Sequence, residues 1–191
     1  YCVNKEHLKK SMIFYIKSYK RNHKMVIKRR KRDQCGELED SMGRIIAICV
    51  SEKRGTPKKA VPQVQLLEQF GLKDDAHAGN WHRQVSLLSY ERMMDFRNQG
   101  AMVEPGAFGE NLLVSGIDFR TLPIGTHLRC KDVLLEITQI GKECHSHCEI
   151  FRTMGDCIMP REGVFARVLR GGILQIGDEM NLVSGSNSYG Q

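Results

Sequence analysis

The chain alternates between short runs of two kinds of period. "GRIIAICVS" near residue 43 is a β-branched apolar run bounded by polar residues, the mark of a buried strand. "EKRGTPKKAV" follows, with Gly55 and Pro57 marking an ordered turn. "VQLLEQFGL" fits either a short helix ending at Gly71 or an extended segment. "RQVSLLS" alternates as a strand does. Ser89 then stands where it can cap "YERMMDFRNQG", whose apolar residues recur at helical spacing and stop at Gly100.

Beyond Pro105 the period is mostly two. "ENLLVSG", "THLRCKD", "VLLEITQI", "VFARVLRGG" and "DEMNLVS" are short runs separated by Gly or Asp. Two of them are entered through similar turns, "PIGTHLRC" and "QIGDEMNL". Short strands at this spacing predict a barrel or a sandwich. One segment interrupts them, "HSHCEIFRTMG", which is expected to form a brief helix ended by Gly155. No repeat of 20–50 residues is present. The expected organisation is a basic extension over 1–42, one domain over 43–183, and a frayed tail over 184–191.

Charge changes this picture only at one end. The 191-residue chain has a formal net charge of +7. Residues 1–41 carry twelve Lys/Arg against five Asp/Glu, and the rest carries seventeen of each. The body is therefore neutral, so the chain's positive charge says nothing for a nucleic-acid surface on it, and a nucleic-acid partner is not expected. The basic stretch, including "KMVIKRRKRDQ", lacks a sustained period. It reads as a disordered extension or as sequence upstream of a natural start at Met42, with a basic arm for RNA or anionic lipid as the alternative. "SMIFYI" is too short to span a membrane.

Seven cysteines without a secretory signal point to a reducing, cytoplasmic setting, where thiols serve metals or chemistry more often than disulfides. Cys2 and Cys35 lie in the extension, and Cys49 and Cys130 sit in apolar runs as small core residues. The remaining three fall within "GKECHSHCEIFRTMGDC", Gly141 to Cys157. Zinc fits poorly there, because Cys144, His145, His147 and Cys148 are too crowded to converge on one tetrahedral ion. Thioredoxin-type chemistry needs Cys-x-x-Cys, and the spacing here is Cys-x3-Cys. A lone reactive thiolate fits better, since Lys142, His145, His147 and Arg152 flank Cys148 and positive neighbours lower a thiol's pKa. Elsewhere, "KDDAHAGNWHRQVSLL" sets His77, His82 and Arg83 ahead of a strand. "EPGAFGENLLV" places Glu110 and Asn111 at a glycine-rich turn. Arg161, Arg167 and Arg170 stand near a Gly pair. Arginines in such places serve phosphate or carboxylate, or else pair on the surface.

Taken together, "RGTPK", "DAHAG", "RQVSLL", "GAFGENL", "IGTHLRC…VLLEITQ", the cysteine segment and "GVFARVLRGG" resemble a MOSC domain, the C-terminal domain of molybdenum-cofactor sulfurases that also occurs alone in bacteria. The resemblance runs in order over roughly residues 43–183. It implies a mainly β fold, a closed β-barrel with a few short helices. It also implies a conserved cysteine that carries sulfur or ligates molybdenum, beside a basic, glycine-lined pocket for a pterin phosphate. Carried over by residue, Cys148 with Ile150 and Phe151 behind it matches that cysteine, with Cys144 as rival and Cys157 third. His77 and Arg83 match the family's His-to-Arg segment, and Gly109, Glu110 and Asn111 its "GEN" turn. Many relatives have Pro before the cysteine, where this chain has His147.

On this resemblance the chain is expected to be a molybdenum-cofactor-binding protein or sulfur carrier. Cys148 is the thiolate, Arg83, Arg167 and Lys142 neutralise the cofactor phosphate, and the Gly109–Asn111 turn donates hydrogen bonds. Its partners are a sulfur donor such as a cysteine desulfurase, or molybdenum-cofactor enzymes, with no membrane involved. Pyridoxal phosphate is not expected, because the large desulfurase module has no room here. Two other classes compete: a molybdenum-cofactor-dependent reductase of N-hydroxylated compounds, and a zinc-stabilised interaction domain.

Overall fold

The computed structural model describes residues 42–143 and 149–183. The basic extension to residue 41, the tail from 184, and the stretch 144–148 lie outside the described residues. Eleven strands follow in chain order: β1 Met42–Val50, β2 Lys59–Val61, β3 Gln63–Leu67, β4 Gly71–Leu72, β5 Val85–Ser89, β6 Leu112–Ser115, β7 His127–Cys130, β8 Val133–Ile140, β9 Val164–Arg170, β10 Gly172–Gln175 and β11 Glu179–Val183. Among the described residues three α-helices punctuate them, α1 Tyr90–Asn98, α2 Glu149–Met154 and α3 Met159–Glu162, with a short 3-10 helix at Phe119–Thr121.

Seven strands close into a barrel in the order β11-β7-β8-β9-β5-β6-β1, with β1 pairing back onto β11. The closing register is Met42↔Asn181 and Arg44↔Glu179. The far end of β1 instead pairs β2, through Ile48↔Val61. Six of the seven junctions are antiparallel, and β5 and β6 run parallel. A parallel pair needs a crossover, and α1 supplies it. The helix seats Tyr90, Met93 and Phe96 at the predicted spacing. A second sheet, β10-β3-β4, lies beside the barrel.

Period two decides which side chains fill the barrel. Val133, Leu135 and Ile137 of β8 and Val164, Ala166 and Val168 of β9 join the buried core with Ile45, Leu87 and Leu112. The residues between them face out, and Glu136 stands directly across from Arg167. Each buried Leu or Ile contributes about 1.5–3 kcal/mol.

The structure resolves the open choice at "VQLLEQFGL" and adds two departures. The segment is extended: Val64 and Leu66 bury alternately, and a turn at Gln69 (φ 52°) reverses the chain into β4. Between the runs "VFARVLRGG" and "DEMNLVS" the structure adds a strand the sequence reading does not name: after Gly171 the chain leaves the barrel and β10 pairs β3 in the small sheet. Ser89 occupies the helix N-cap position, but its Oγ accepts no backbone N–H of the first turn and instead donates to Glu91 Oε2 at 2.8 Å. Gly155 does end α2, with φ 70° and its N–H on Phe151 O at 2.8 Å.

Candidate functional site

Three loops cover the outer face of β1, β6 and β5: residues 51–58, 73–84 and 99–111. Cys49, Ser86 and Asn111 are buried beneath them. At the centre is Asp75, whose carboxylate takes four donors. Lys58 Nζ (2.6 Å), Ser51 N (3.1 Å) and Asn111 Nδ2 (3.1 Å) reach Oδ2, and His77 N (2.9 Å) reaches Oδ1. The Lys58 and Asp75 side chains are 3% and 2% exposed. Burial alone would raise the Asp75 carboxyl, but the Lys58 ammonium and the backbone donors outweigh it and hold the group ionised, below its ordinary range.

Asn111 uses its whole amide. Its Nδ2 also donates to Cys49 O at 3.0 Å, and its Oδ1 accepts from Ser86 N (3.1 Å) and Ser86 Oγ (2.9 Å). Beside it Glu110 is fully buried, accepting from Gly106 N (2.6 Å) and Phe108 N (3.1 Å). Burial pushes its carboxyl up to about 7. Gly106 permits this packing: its φ is +91°, and a Cβ there would lie 2.5 Å from Lys58 O. Gly109 has φ +83° and presents its carbonyl to Ser86 Oγ at 3.0 Å. The turn that reads in sequence as a polar lip is therefore a closed internal brace.

The same 73–84 loop carries a second, open constellation. Trp81 Nε1 donates to His77 O at 3.0 Å, and the residue remains 39% exposed. The Arg83 guanidinium lies 4.8 Å from the Trp81 ring centre and 5.6 Å from that of Phe165. Arg83 Nε is buried without a hydrogen-bond partner, and no carboxylate pairs with this side chain among the described residues. His82 Nε2 meets Gln139 Oε1 at 3.0 Å, and Gln139 Nε2 donates to Gly141 O at 2.7 Å. The Arg83 loop is thus tied to the end of β8, where the cysteine segment begins.

That segment is pinned at its base. Gly141 N donates to Gly163 O (2.7 Å) and Lys142 N to Pro160 O (3.2 Å). Lys142 is exposed, and Ile150 and Phe151 are half-buried on α2. Cys144 and Cys148 lie outside the described residues. Cys157 is buried in the turn before α3. Cys49 and Cys130 are buried, and burial first of all pushes both thiols up to about 12, with nearby carboxylates adding to it. Neither forms a thiolate at neutral pH, so both are core residues as their apolar runs predict. Arg167 sits on the outside of β9 with its Nε on Glu136 Oε2 at 2.7 Å.

The structure therefore brings His77, Gly109, Glu110 and Asn111 together, and sets Arg83 beside them on the shared loop. Sequence reasoning misses Lys58, Asp75 and Trp81. Lys58 lies in the turn "EKRGTPKKAV" and Asp75 opens "DAHAG", and only the fold shows that the two side chains pair and are buried.

A family model of the MOSC domain matches residues 74–181. The chain belongs to the MOSC domain family. Solved structures agree with this barrel. YuaD from Bacillus subtilis has a TM-score of 0.66 at 18% identity, covering 78% of this chain and 99% of that one. YiiM from Geobacillus stearothermophilus gives 0.58 at 18% identity, covering 76% and 77%. YiiM from Escherichia coli gives 0.55 at 18%, covering 76% and 70%. At such identity the likeness shows the MOSC fold alone. A comparison with curated protein sequences returns no match. No helix among the described residues is long and apolar enough to cross a membrane, and none of them forms a group of three metal-ligating side chains.

Proposed function

We propose that this MOSC protein binds a molybdenum cofactor, or carries sulfur for one, at the Arg83 face, with Cys148 as the thiolate. One observation carries the reading: the buried Arg83 Nε lacks an acceptor among the described residues while its guanidinium plane is held by Trp81 and Phe165. A buried unpaired donor costs about 1–3 kcal/mol, and an incoming anion removes that cost. The donor set suits the phosphate of a pterin, which arginine meets with paired N–H groups.

The bound cofactor would contribute redox and sulfur-exchange chemistry at molybdenum. The chain's own residues do the rest. Arg83 holds the anion, and exposed Lys142 adds charge at the start of the cysteine segment. The Asn111–Asp75 brace fixes the loop that carries Arg83. Cys148 offers the soft ligand or sulfur acceptor, flanked in sequence by basic residues that favour its thiolate. Arg167 is already neutralised by Glu136 and is given no part. The sulfur donor in this reading is a cysteine desulfurase.

Molybdenum, pterin, sulfane sulfur and zinc are measured in protein purified without chelator. Molybdenum with pterin, or sulfane sulfur, is expected, and either should be lost in Cys148→Ser and reduced in Arg83→Ala. Loading that survives Cys148→Ser and disappears in Cys144→Ser moves the thiolate upstream. Stoichiometric zinc with neither pterin nor sulfane sulfur overturns the reading.

A further inference from the structure

Strand β8 is irregular where it passes the Arg83 loop. Ile137 stands opposite Ala166, but the next pair is Gln139 with Phe165, so Thr138 is an extra residue without a register partner on β9. Such a β-bulge bends its strand and re-aims the side chains on it. Along a regular strand, neighbouring side chains face opposite sides of the sheet. Here Thr138 and Gln139 both reach His82. Gln139 Oε1 meets the His82 ring at Nε2, 3.0 Å away, and Thr138 Oγ1 donates to the His82 carbonyl. The same hydroxyl lies 3.1 Å from Phe165 O, so its single hydrogen is shared between two carbonyls.

Those two carbonyls belong to the residues that place Arg83. His82 precedes it in the chain, and Phe165 is buried and supplies one of the two rings beside its guanidinium. On the other flank Gln84 is buried, and its Oε1 accepts Val168 N at 2.8 Å. Arg83 is thereby clamped through both of its chain neighbours, to β8 on one side and to β9 on the other. Its own Nε has no acceptor among the described residues, so the aim of the side chain is set by what fixes its backbone and its rings.

We propose that Thr138, the bulge residue of β8, is a positioning residue that fixes where Arg83 presents its unpaired N–H to an anion. The inference rests on the reading of the Arg83 face given above. Without the hydroxyl, the His82 carbonyl turns to water and the backbone ahead of Arg83 loses its tie to β8. An arriving anion must then order the side chain as it binds, and the affinity falls by that cost. Valine at this position keeps the shape and the β-branching that suit a strand, so Thr138→Val removes the hydroxyl and little else.

Trp81 is the chain's single tryptophan, and the Arg83 guanidinium lies over its ring, so its emission and its ring current both report on this face. In NMR spectra of the full chain, the Arg83 Nε–H signal, assigned through Arg83→Lys, should be displaced upfield by the indole. It should return toward the ordinary arginine position in Thr138→Val and stay displaced in Thr138→Ser, which keeps the hydroxyl. Inorganic phosphate, titrated against chloride at equal ionic strength, should change Trp81 emission saturably in the parent. Thr138→Val should weaken that binding about fivefold, the worth of one net hydrogen bond, and Thr138→Ser should restore it. An undisplaced Nε–H in the parent overturns the proposal, and that measurement needs no variant to fold. So does Thr138→Val that binds as the parent does, or Thr138→Ser as weak as Thr138→Val, when Arg83→Ala weakens binding; these results leave the reading of the face intact. A parent whose emission is indifferent to phosphate overturns both.

Discussion

Two polar regions share the 73–84 loop, and they are built on opposite plans. Around Asp75, Asn111 and Glu110, each carboxylate and amide has its partners inside the protein, at distances of 2.6–3.1 Å. Around Arg83, aromatic faces hold the side chain while its buried Nε has no acceptor among the described residues. A closed network holds the fold in place, because any deletion strands a buried partner. An open one is ready for a ligand, because its cost is removed only when something arrives. The loop joins the two, so rigidity on one side becomes preorganisation on the other.

The comparison breaks most visibly at Asp75. Asp75→Ala leaves the Lys58 ammonium buried and unpaired, and thermal denaturation should show a loss of about 3–5 kcal/mol. A loss below about 1 kcal/mol means that the network is not closed. Glu110 comes next. Its folded-state carboxyl lies near 7, above its ordinary 4.5, so the stability it brings is full below pH 4.5 and is lost as pH rises through about 7. Glu110→Gln should remove that decline, worth up to ~3 kcal/mol, so that the stability curves of parent and variant change slope relative to one another between those values. Parallel curves would place the titration elsewhere.

On the open side the expectation inverts. Arg83→Ala should change the melting free energy by less than ~1 kcal/mol but weaken binding of an anionic ligand by about 1–3 kcal/mol, read by calorimetry. A variant that loses more than ~1 kcal/mol of stability while binding the anion as the parent does would assign Arg83 to the brace. The smallest effect belongs to Arg167, exposed and paired with Glu136. Arg167→Ala should cost no more than about 1 kcal/mol, diminishing with salt, and leave ligand binding untouched.

Much of the barrel is legible in the sequence because its strands alternate over enough residues for period two to stand out, as in "VLLEITQI" and "VFARVLR". The paired turns "PIGTHLRC" and "QIGDEMNL" are equally readable, and Gly125 and Gly177 adopt φ of 91° and 93° there. β4 and β10 are not, since two to four residues beside glycines carry no period and their partner strand lies elsewhere in the chain. The site is legible in type but not in role. Glycines around Glu110 and Asn111 advertise a special turn, yet whether its polar groups face a ligand or the interior depends on which loops close over them. Lys58 and Asp75 fall inside "RGTPK" and "DAHAG" yet their pairing is not readable there, because a charged residue looks solvated until a long-range partner buries it. Arg83 is legible because a strand and a second basic residue, His82, frame it.

The β1–β11 junction bears on how the molecule forms. Met42 stands opposite Asn181 in register, so the first and last strands of the barrel are neighbours. Until β11 is in place, β1 and β7 both present unpaired edges along which another chain can add a strand. Contacts this distant in sequence slow folding, since loop closure must precede the reward. During synthesis the barrel cannot seal when most of its core residues emerge, only when β11, its seventh and last strand, does. The interval between those events is when aggregation competes, and substitutions that weaken β11 should show themselves as lost yield before they show as a lowered melting temperature.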